Sequence, residues 1–331
     1  MRRTLRIAMV AACPFPYPRG TPVRIYRMAE TLARRGHDVH VITYHLGETP
    51  PQVPFTIHRT PPITTYQRTS PGPSYGKLLM LNPLLAAKVS QVLQQHNIQL
   101  IHAHHYEGLL VARLAQLWSK HPLVYDAHTL LESELPFYGL GLPKAIKRSL
   151  GRWLDRLLPQ QATHIITVTE AIRCKLIHHA KIAPEQVTMV SNGVEWEQFA
   201  TAPGGRSIAR RGQKTLVFSG NLASYQRIDL LLKAFREVLN KRHDVRLHII
   251  SDSPFDEYEM LVNTLEIHQH IDLLQADFED LPQRLAAADV ALNPRTEFDG
   301  IPLKLLNYRA AGKAIVSFEG SAKGLTHRET G

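Results

Sequence analysis

One order of signals occurs twice in this chain and constrains its fold more than anything else: an apolar strand, a short loop, and a helix with one apolar face. The first instance runs LRIAMVAA, then CPFPYPRG, then a helix in which Thr21 can cap, Pro22 suits the first turn, and Ile25, Met28, Ala29 and Leu32 share a side. Gly36 ends that helix and VHVITY returns as the next strand. The second instance opens at TLVFSG, passes through NLASYQR, and enters a helix whose Ile228, Leu231, Leu232, Phe235 and Leu239 fall on one face. Strands this uniformly apolar belong to parallel sheets covered on both sides, and parallel neighbours need a helical crossover between them. The repeat therefore predicts two doubly wound α/β domains with Rossmann-like parallel sheets.

The alternation continues through both halves. After a proline-, threonine- and serine-rich excursion over 47–76, which includes the strand-like FTIHR, come QLIHA, LVYDAH, HIITVT and VTMVSNG with helices near 84–95 and 108–118 between them. Six parallel strands are expected for this half. RLHIIS, IDLLQ, VALNP and AIVSF follow TLVFSG in the second half. The domains are placed at 1–199 and 214–331, joined by a linker over 200–213 whose glycines, proline and arginines replace apolar periodicity. A chain of 331 residues suits two such domains.

Thirty-nine basic against 29 acidic side chains give a net charge of +10, which favours anionic partners such as nucleotides or an acidic membrane surface. Basic residues are dispersed and nucleic-acid motifs are absent, so nucleic acid is not expected as a partner. No apolar run approaches the roughly twenty residues of a membrane span. Arg6 and the brevity of the Ile7–Ala12 run argue for a buried first strand rather than a secretion signal, and two cysteines make no disulfide framework. A cytoplasmic location follows.

Several residues stand out individually. Beyond the strand VALNP, the segment EFDGIPLKLLNYRAAGKAIVSF places Asp299, Gly300, Lys304 and Asn307 at a helix entrance, where unpaired N–H groups attract anions. Asp299 and Asn307 stand eight positions apart, about two helical turns, and could present hydrogen-bonding groups along one side. Gly20 permits close backbone approach at the first helix entrance. His128 ends the strand LVYDAH, while Asp126 reads as a loop anchor. His102, His104 and His105 have no carboxylate or cysteine at a ligand spacing, and alternation would send His104 and His105 to opposite faces, so no metal is expected there. Glu107 is a further polar candidate. The helix KAIKRSLGRWLDR carries Ile146, Leu150, Trp153, Leu154 and Leu157 on one stripe, either packed on its own domain or laid on a membrane surface.

The ordered segments PRGTPVRIYRMAETLARRGHDVHVIT, VYDAH, VSNGVEWEQF, SGNLASYQRIDLLLKAF and PLKLLNYRAAGKAIV resemble glycosyltransferase family 4 over essentially the whole chain. That resemblance implies the GT-B fold, two Rossmann-like domains facing a cleft, and retaining transfer of a sugar from a nucleotide donor to an acceptor without a metal or other cofactor. It places His128 and Asp299 in catalytic positions and assigns the donor to Gly20, Gly220, Asn221, Gln226, Arg227, Gly300, Lys304 and Asn307. The family commonly has Glu, seven residues, Glu where this chain has Asp299 and Asn307. It often has arginine and lysine where Asn221 and Gln226 stand. The family also continues through another strand and helices beyond the point where this chain reads THRETG, so an incomplete second domain is expected. The acceptor is a glycan, a lipid-linked molecule or a small molecule, with peripheral contact to an anionic inner membrane face if lipid-linked. A noncatalytic GT-B binding protein is the alternative reading.

Overall fold

The computed structural model describes residues 4–17, 20–48, 52–69, 72–117, 119–139, 141–200, 212–275, 280–298, 301–322 and 325–327. The chain divides into two compact units, Met1–Ser191 and Asn192–Gly331. The boundary precedes the position read from sequence because helix α7 (Trp196–Ala200) packs on α10 (Leu281–Ala286) and α11 (Leu303–Ala310) of the second unit. Most of the expected linker lies outside the described residues.

In the first unit the elements run β1 (Arg6–Ala11), α1 (Gly20–Arg34), β2 (Asp38–Thr43), β3 (Thr56–Arg59), α2 (Asn82–Gln95), β4 (Leu100–His104), α3 (His105–Ala115), β5 (Leu123–Ala127), α4 (Leu131–Glu134), α5 (Lys144–Leu157), β6 (His164–Thr167), α6 (Glu170–His179) and β7 (Val187–Met189). All pairings are parallel in the order β3-β2-β1-β4-β5-β6-β7. The sheet has seven described strands rather than six, because FTIHR pairs with β2 as an edge strand. Phe55, just before β3, explains its docking: its ring meets Tyr26 at 5.4 Å and Phe15 at 6.3 Å beneath the sheet. The strand order reverses between β1 and β4, the switch point at which open α/β sheets leave a crevice beyond their carboxyl ends.

The second unit contains β8 (Lys214–Ser219), α8 (Ile228–Leu239), β9 (Val245–Ser251), α9 (Asp256–Thr264), β10 (Ile271–Gln275), α10, β11 (Val290–Asn293), α11 and β12 (Ala314–Ser317). Its five parallel strands follow the order β10-β9-β8-β11-β12, with the switch point between β8 and β11. Ile228, Leu231, Leu232, Phe235 and Leu239 are all buried, so the stripe read from α8 is its core face. β12 is the outer strand, and Val316 and Phe318 are exposed there.

Helix α5 overturns the reading that its apolar stripe packs on its own domain. Ile146, Leu150, Trp153 and Leu157 are exposed, Trp153 by 57%, whereas Lys147 and Gly151 are buried and Leu154 is half-buried. Three local contacts turn the helix this way. A Cβ on Gly151 would stand 2.6 Å from the Leu131 carbonyl oxygen, so only glycine lets α5 and α4 approach so closely. Asp155 accepts hydrogen bonds from the Leu131 and Glu132 amides at 2.9 and 2.8 Å, and Lys147 donates to the Tyr138 carbonyl at 2.7 Å. Residues four apart on one side of the helix thus make a polar inner face and leave the apolar stripe outward.

Candidate functional site

At the switch point of the second unit, β8 ends in Ser219 and Gly220. Gly220 has φ +137°, and a Cβ there would meet the Lys304 Nζ at 3.0 Å, so glycine is what lets the lysine lie against this turn. Lys304, in the first turn of α11, donates from Nζ to Gln226 Oε1 at 3.0 Å and sits 3.8 Å from the centre of the Phe218 ring. Among the described residues the ammonium has no carboxylate partner. Burial, followed by the positive charge of Arg295, pushes it well below the usual lysine range. Helix α11 starts one residue before Lys304 and has no side-chain N-cap. The arrangement asks for an anion.

The remaining residues expected here have mixed placements. Gln226 is buried and orients Lys304. Asn221 shapes the loop: its amide donates to the Tyr225 hydroxyl at 2.8 Å, and its carbonyl accepts from the Ala223 amide at 3.1 Å. Arg227, left-handed with φ 57° at the start of α8, pairs with Asp229 at 3.2 Å rather than with the Lys304 group. Asn307 is half-buried one turn along α11 from Lys304. Asp299 and Gly300 lie outside the described residues. Because Ile301 and Pro302 are not helical and α11 starts at Leu303, the eight-residue interval from Asp299 to Asn307 is not a spacing along this helix.

Two residues not singled out from sequence complete this end. Tyr308 is fully buried, and its hydroxyl accepts from the Ser219 amide at 2.9 Å, tying α11 to the end of β8. Arg295 stacks over Phe298 at 3.7 Å and Tyr225 at 4.8 Å. Its position directly after VALNP was the available signal.

The first unit gathers charge at its own switch point. Asp126, at the end of β5 and 0% exposed, accepts from Arg24 Nε and Nη2 at 2.9 and 3.0 Å, from His104 Nδ1 at 3.1 Å and from His128 Nε2 at 3.0 Å. Arg24 also donates to the Val190 carbonyl at 3.1 Å. His128 Nδ1 meets the Thr21 hydroxyl at 3.2 Å, so Thr21 lies inside the first turn of α1 and fastens that helix to β5 instead of capping it. Both His128 nitrogens are therefore engaged. Gly20 opens α1 and is exposed.

Burial pushes His104 down to about 4 and His102 down to about 3, and pushes His128 below its ordinary value. Burial alone would raise Asp126, but His128 and His104 outweigh it and hold the carboxyl well below its usual range. Asp126 is the anchor expected of it, and Arg24, the residue it holds, went unremarked.

The rings of His102 and His104 lie 4.2 Å apart, tilted, on one face of β4, while His105 opens α3 with φ 62° rather than continuing the strand's alternation. His102, His104 and Asp126 are close enough to hold a metal ion. Arg24 already occupies both oxygens of the carboxylate and places a positive charge where the cation would sit, so the group does not suit one. Glu107 is buried beside Lys77 at 3.6 Å and is an interior ion pair.

Comparison with known proteins agrees with this geometry. The family profile described as Glycosyltransferase Family 4 matches residues 18–198, and that of Glycosyl transferases group 1 matches 213–331. A phosphatidyl-myo-inositol mannosyltransferase of Mycobacterium tuberculosis is 24% identical over 318 residues, covering 95% of this chain and 77% of that protein. Among solved structures, sucrose-phosphate synthase from Thermosynechococcus elongatus superposes with a TM-score of 0.76 at 16% identity, covering 95% of this chain and 80% of that one. Anabaena HepE in complex with UDP and glucose gives 0.73 at 18% identity, covering 98% and 83%. The two parallel-sheet domains are those of the GT-B fold, and the chain belongs to glycosyltransferase family 4.

Proposed function

We propose that the chain transfers a sugar from a nucleotide-sugar donor to an acceptor hydroxyl with retention at the anomeric carbon. The observation that carries this reading is the buried Lys304 Nζ at the β8–β11 switch point, hydrogen-bonded among the described residues to a neutral amide. A nucleoside diphosphate supplies the negative charge that site lacks. In the reaction, the bond from the anomeric carbon to the diphosphate oxygen breaks, and a bond to the acceptor oxygen forms on the same face. The acceptor proton passes to the departing phosphate oxygen. Lys304 and the leading amides of α11 stabilise the charge that develops there, so no bound metal is needed. Asp299 and Asn307 are assigned to donor hydroxyls and Gly220 to close approach of the phosphates. His128, fixed by Asp126 and Thr21, is assigned to the first domain's part of the site.

The test is turnover and binding with a panel of UDP-, GDP- and ADP-sugars in excess chelator, reading release of the nucleoside diphosphate. Lys304→Ala should weaken nucleoside diphosphate binding by roughly tenfold to a hundredfold, the value of a charged hydrogen bond. Absence of binding by every nucleotide refutes the reading. Saturable binding without turnover would favour a noncatalytic GT-B protein, for which the neutral Asn307 is the sequence argument.

The outward apolar stripe of α5 supports a lipid-linked acceptor presented at an anionic membrane surface on the cytoplasmic side. Ile146, Leu150 and Trp153 are exposed beside Lys144, Arg148 and Arg152, the composition of a helix lying in an interface. No helix among the described residues is long and apolar enough to cross a membrane. The mannosyltransferase relative, named for a phosphatidylinositol acceptor, points the same way. Cosedimentation with vesicles containing anionic lipid, lost in Trp153→Ser and absent with neutral vesicles, would support it; equal recovery with and without vesicles would refute it.

A further inference from the structure

We propose that His40, His58 and His96 form a zinc site that clamps the edge of the first domain's sheet. The three side chains come from separate elements: His40 from β2, His58 from the edge strand β3, and His96 from the residue that ends α2. His40 pairs with Thr56 and Ile42 with His58 in the parallel register, so the two strand histidines project from the same face, diagonally adjacent. His40 Nδ1 lies 2.9 Å from His58 Nε2, and the His96 ring centre is 4.4 Å from that of His40 and 5.1 Å from that of His58. One nitrogen from each ring falls within 4.8 Å of the others. Zinc at about 2.0–2.1 Å from each imidazole nitrogen needs ligand atoms roughly 3.4 Å apart in tetrahedral geometry, inside the span the rings already occupy.

A further observation favours a metal over a simple stack of rings. Nδ1 of His40 faces His58, and its other nitrogen, Nε2, lies 3.2 Å from an Asp38 carboxylate oxygen without an aligned hydrogen bond. Carboxylates placed behind a histidine in this way orient metal ligands and raise their basicity. Lys88, the nearby cation, is turned to Gln91 at 3.1 Å. Three imidazoles and one open position, filled by water, make a set suited to zinc and related divalent ions rather than to magnesium or calcium. The group is separate from the Asp126 centre, whose residues come from β4, β5 and α1. Its role is structural: it ties β3, which has a hydrogen-bonded neighbour on one side only, to β2 and to the end of α2.

The experiment uses the full chain without a polyhistidine tag, dialysed against chelator and titrated with zinc and, for its visible spectrum, cobalt. One ion should bind per chain, cobalt should give the intense absorption of a tetrahedral site, and zinc should raise the unfolding temperature of the first domain. His58→Gln and His96→Gln, both at half-buried positions that tolerate an amide, should each weaken binding about tenfold or more, and Asp38→Asn about tenfold. His104→Gln should leave the affinity unchanged. The proposal is overturned by the absence of saturable binding, by binding that survives both substitutions at 58 and 96, or by binding that is lost in His104→Gln.

Discussion

Arg24 and Asp126 form the ion pair on which the first domain's switch point depends, and separating them should be costly. Arg24→Met removes two charge-assisted bonds of 2.9 and 3.0 Å and leaves a carboxylate with no exposed surface facing two imidazoles that burial keeps neutral. Stranding a buried charge in this way costs about 3–5 kcal/mol. Asp126→Asn strands the guanidinium instead and should cost a similar amount. The double variant removes both charges, so the two effects should fall short of additivity by roughly 2–3 kcal/mol. A single melting curve is ill-suited to a chain of two compact units. Hydrogen exchange of β4 and β5 amides, followed peptide by peptide, reports on this sheet alone. Each single substitution should lower protection there by roughly a hundredfold or more, about 3 kcal/mol at 1.4 kcal/mol per factor of ten, and leave β8 and β9 unaffected. Single effects below about threefold, or a double variant equal to the sum of the singles, would refute the argument.

Other outcomes follow from the same geometry. His104 has its folded pKa depressed to about 4 from an ordinary 6.5, so the unfolded chain binds the proton first as pH falls. Its contribution to stability is constant above 6.5 and is lost down to about 4, on the order of 3 kcal/mol in all, while Asp126 adds its loss only below its ordinary 3.8. Urea midpoints of first-domain amides should decline through that window, and a flat profile would contradict it. Lys304, depressed by burial, should take up a proton when a nucleoside diphosphate binds, so affinity should fall as pH rises and the binding heat should vary with the buffer's ionisation heat. Buffer-independent heats from neutral to mildly alkaline pH would exclude this linkage. Tyr308→Phe deprives the Ser219 amide of its 2.9 Å acceptor and should cost about 1–3 kcal/mol in second-domain stability, read by exchange of the β8 amides.

Local pattern revealed what local physics decides. Uniformly apolar strands, helix stripes such as that of α8, and the doubled strand-helix order are set by burial of neighbouring residues, so two parallel-sheet domains were legible. Where a face points is a different matter. The α5 stripe was visible, but its outward orientation depends on Gly151, Lys147 and Asp155 fitting against α4 and Tyr138, contacts between neighbouring elements that helical periodicity does not register. The Arg24–Asp126 pair spans 102 positions and appears only when α1 and β5 meet at one end of the sheet. Spacing also misleads when an element starts later than supposed: Asp299 and Asn307 share a helix only if Ile301 and Pro302 are helical, and they are not. His105 likewise leaves the strand through a positive φ that no periodicity predicts.

The two switch points have the same topology and opposite electrostatic character, which bears on which of them calls for a ligand. In the first domain, Asp126 has every oxygen engaged, its positive partner is bidentate, and both nitrogens of His128 are used. A ligand there gains little by displacing groups already satisfied and would meet backbone and the rim of the network. In the second domain, the buried Lys304 amine has, among the described residues, the neutral amide of Gln226 as its hydrogen-bond partner, and the leading amides of α11 lack a side-chain cap. Burial disfavours the charged form of Lys304 there, and an arriving phosphate restores the ammonium and pairs with it. A negatively charged side chain introduced at this point tests the reasoning. Gln226→Glu should return the Lys304 pKa towards its ordinary range and stabilise the second domain. It should also weaken nucleoside diphosphate binding by roughly tenfold or more, because the carboxylate takes the place of the phosphate. Tighter binding, or a second domain less stable than the parent, would show that the site does not work by unsatisfied charge.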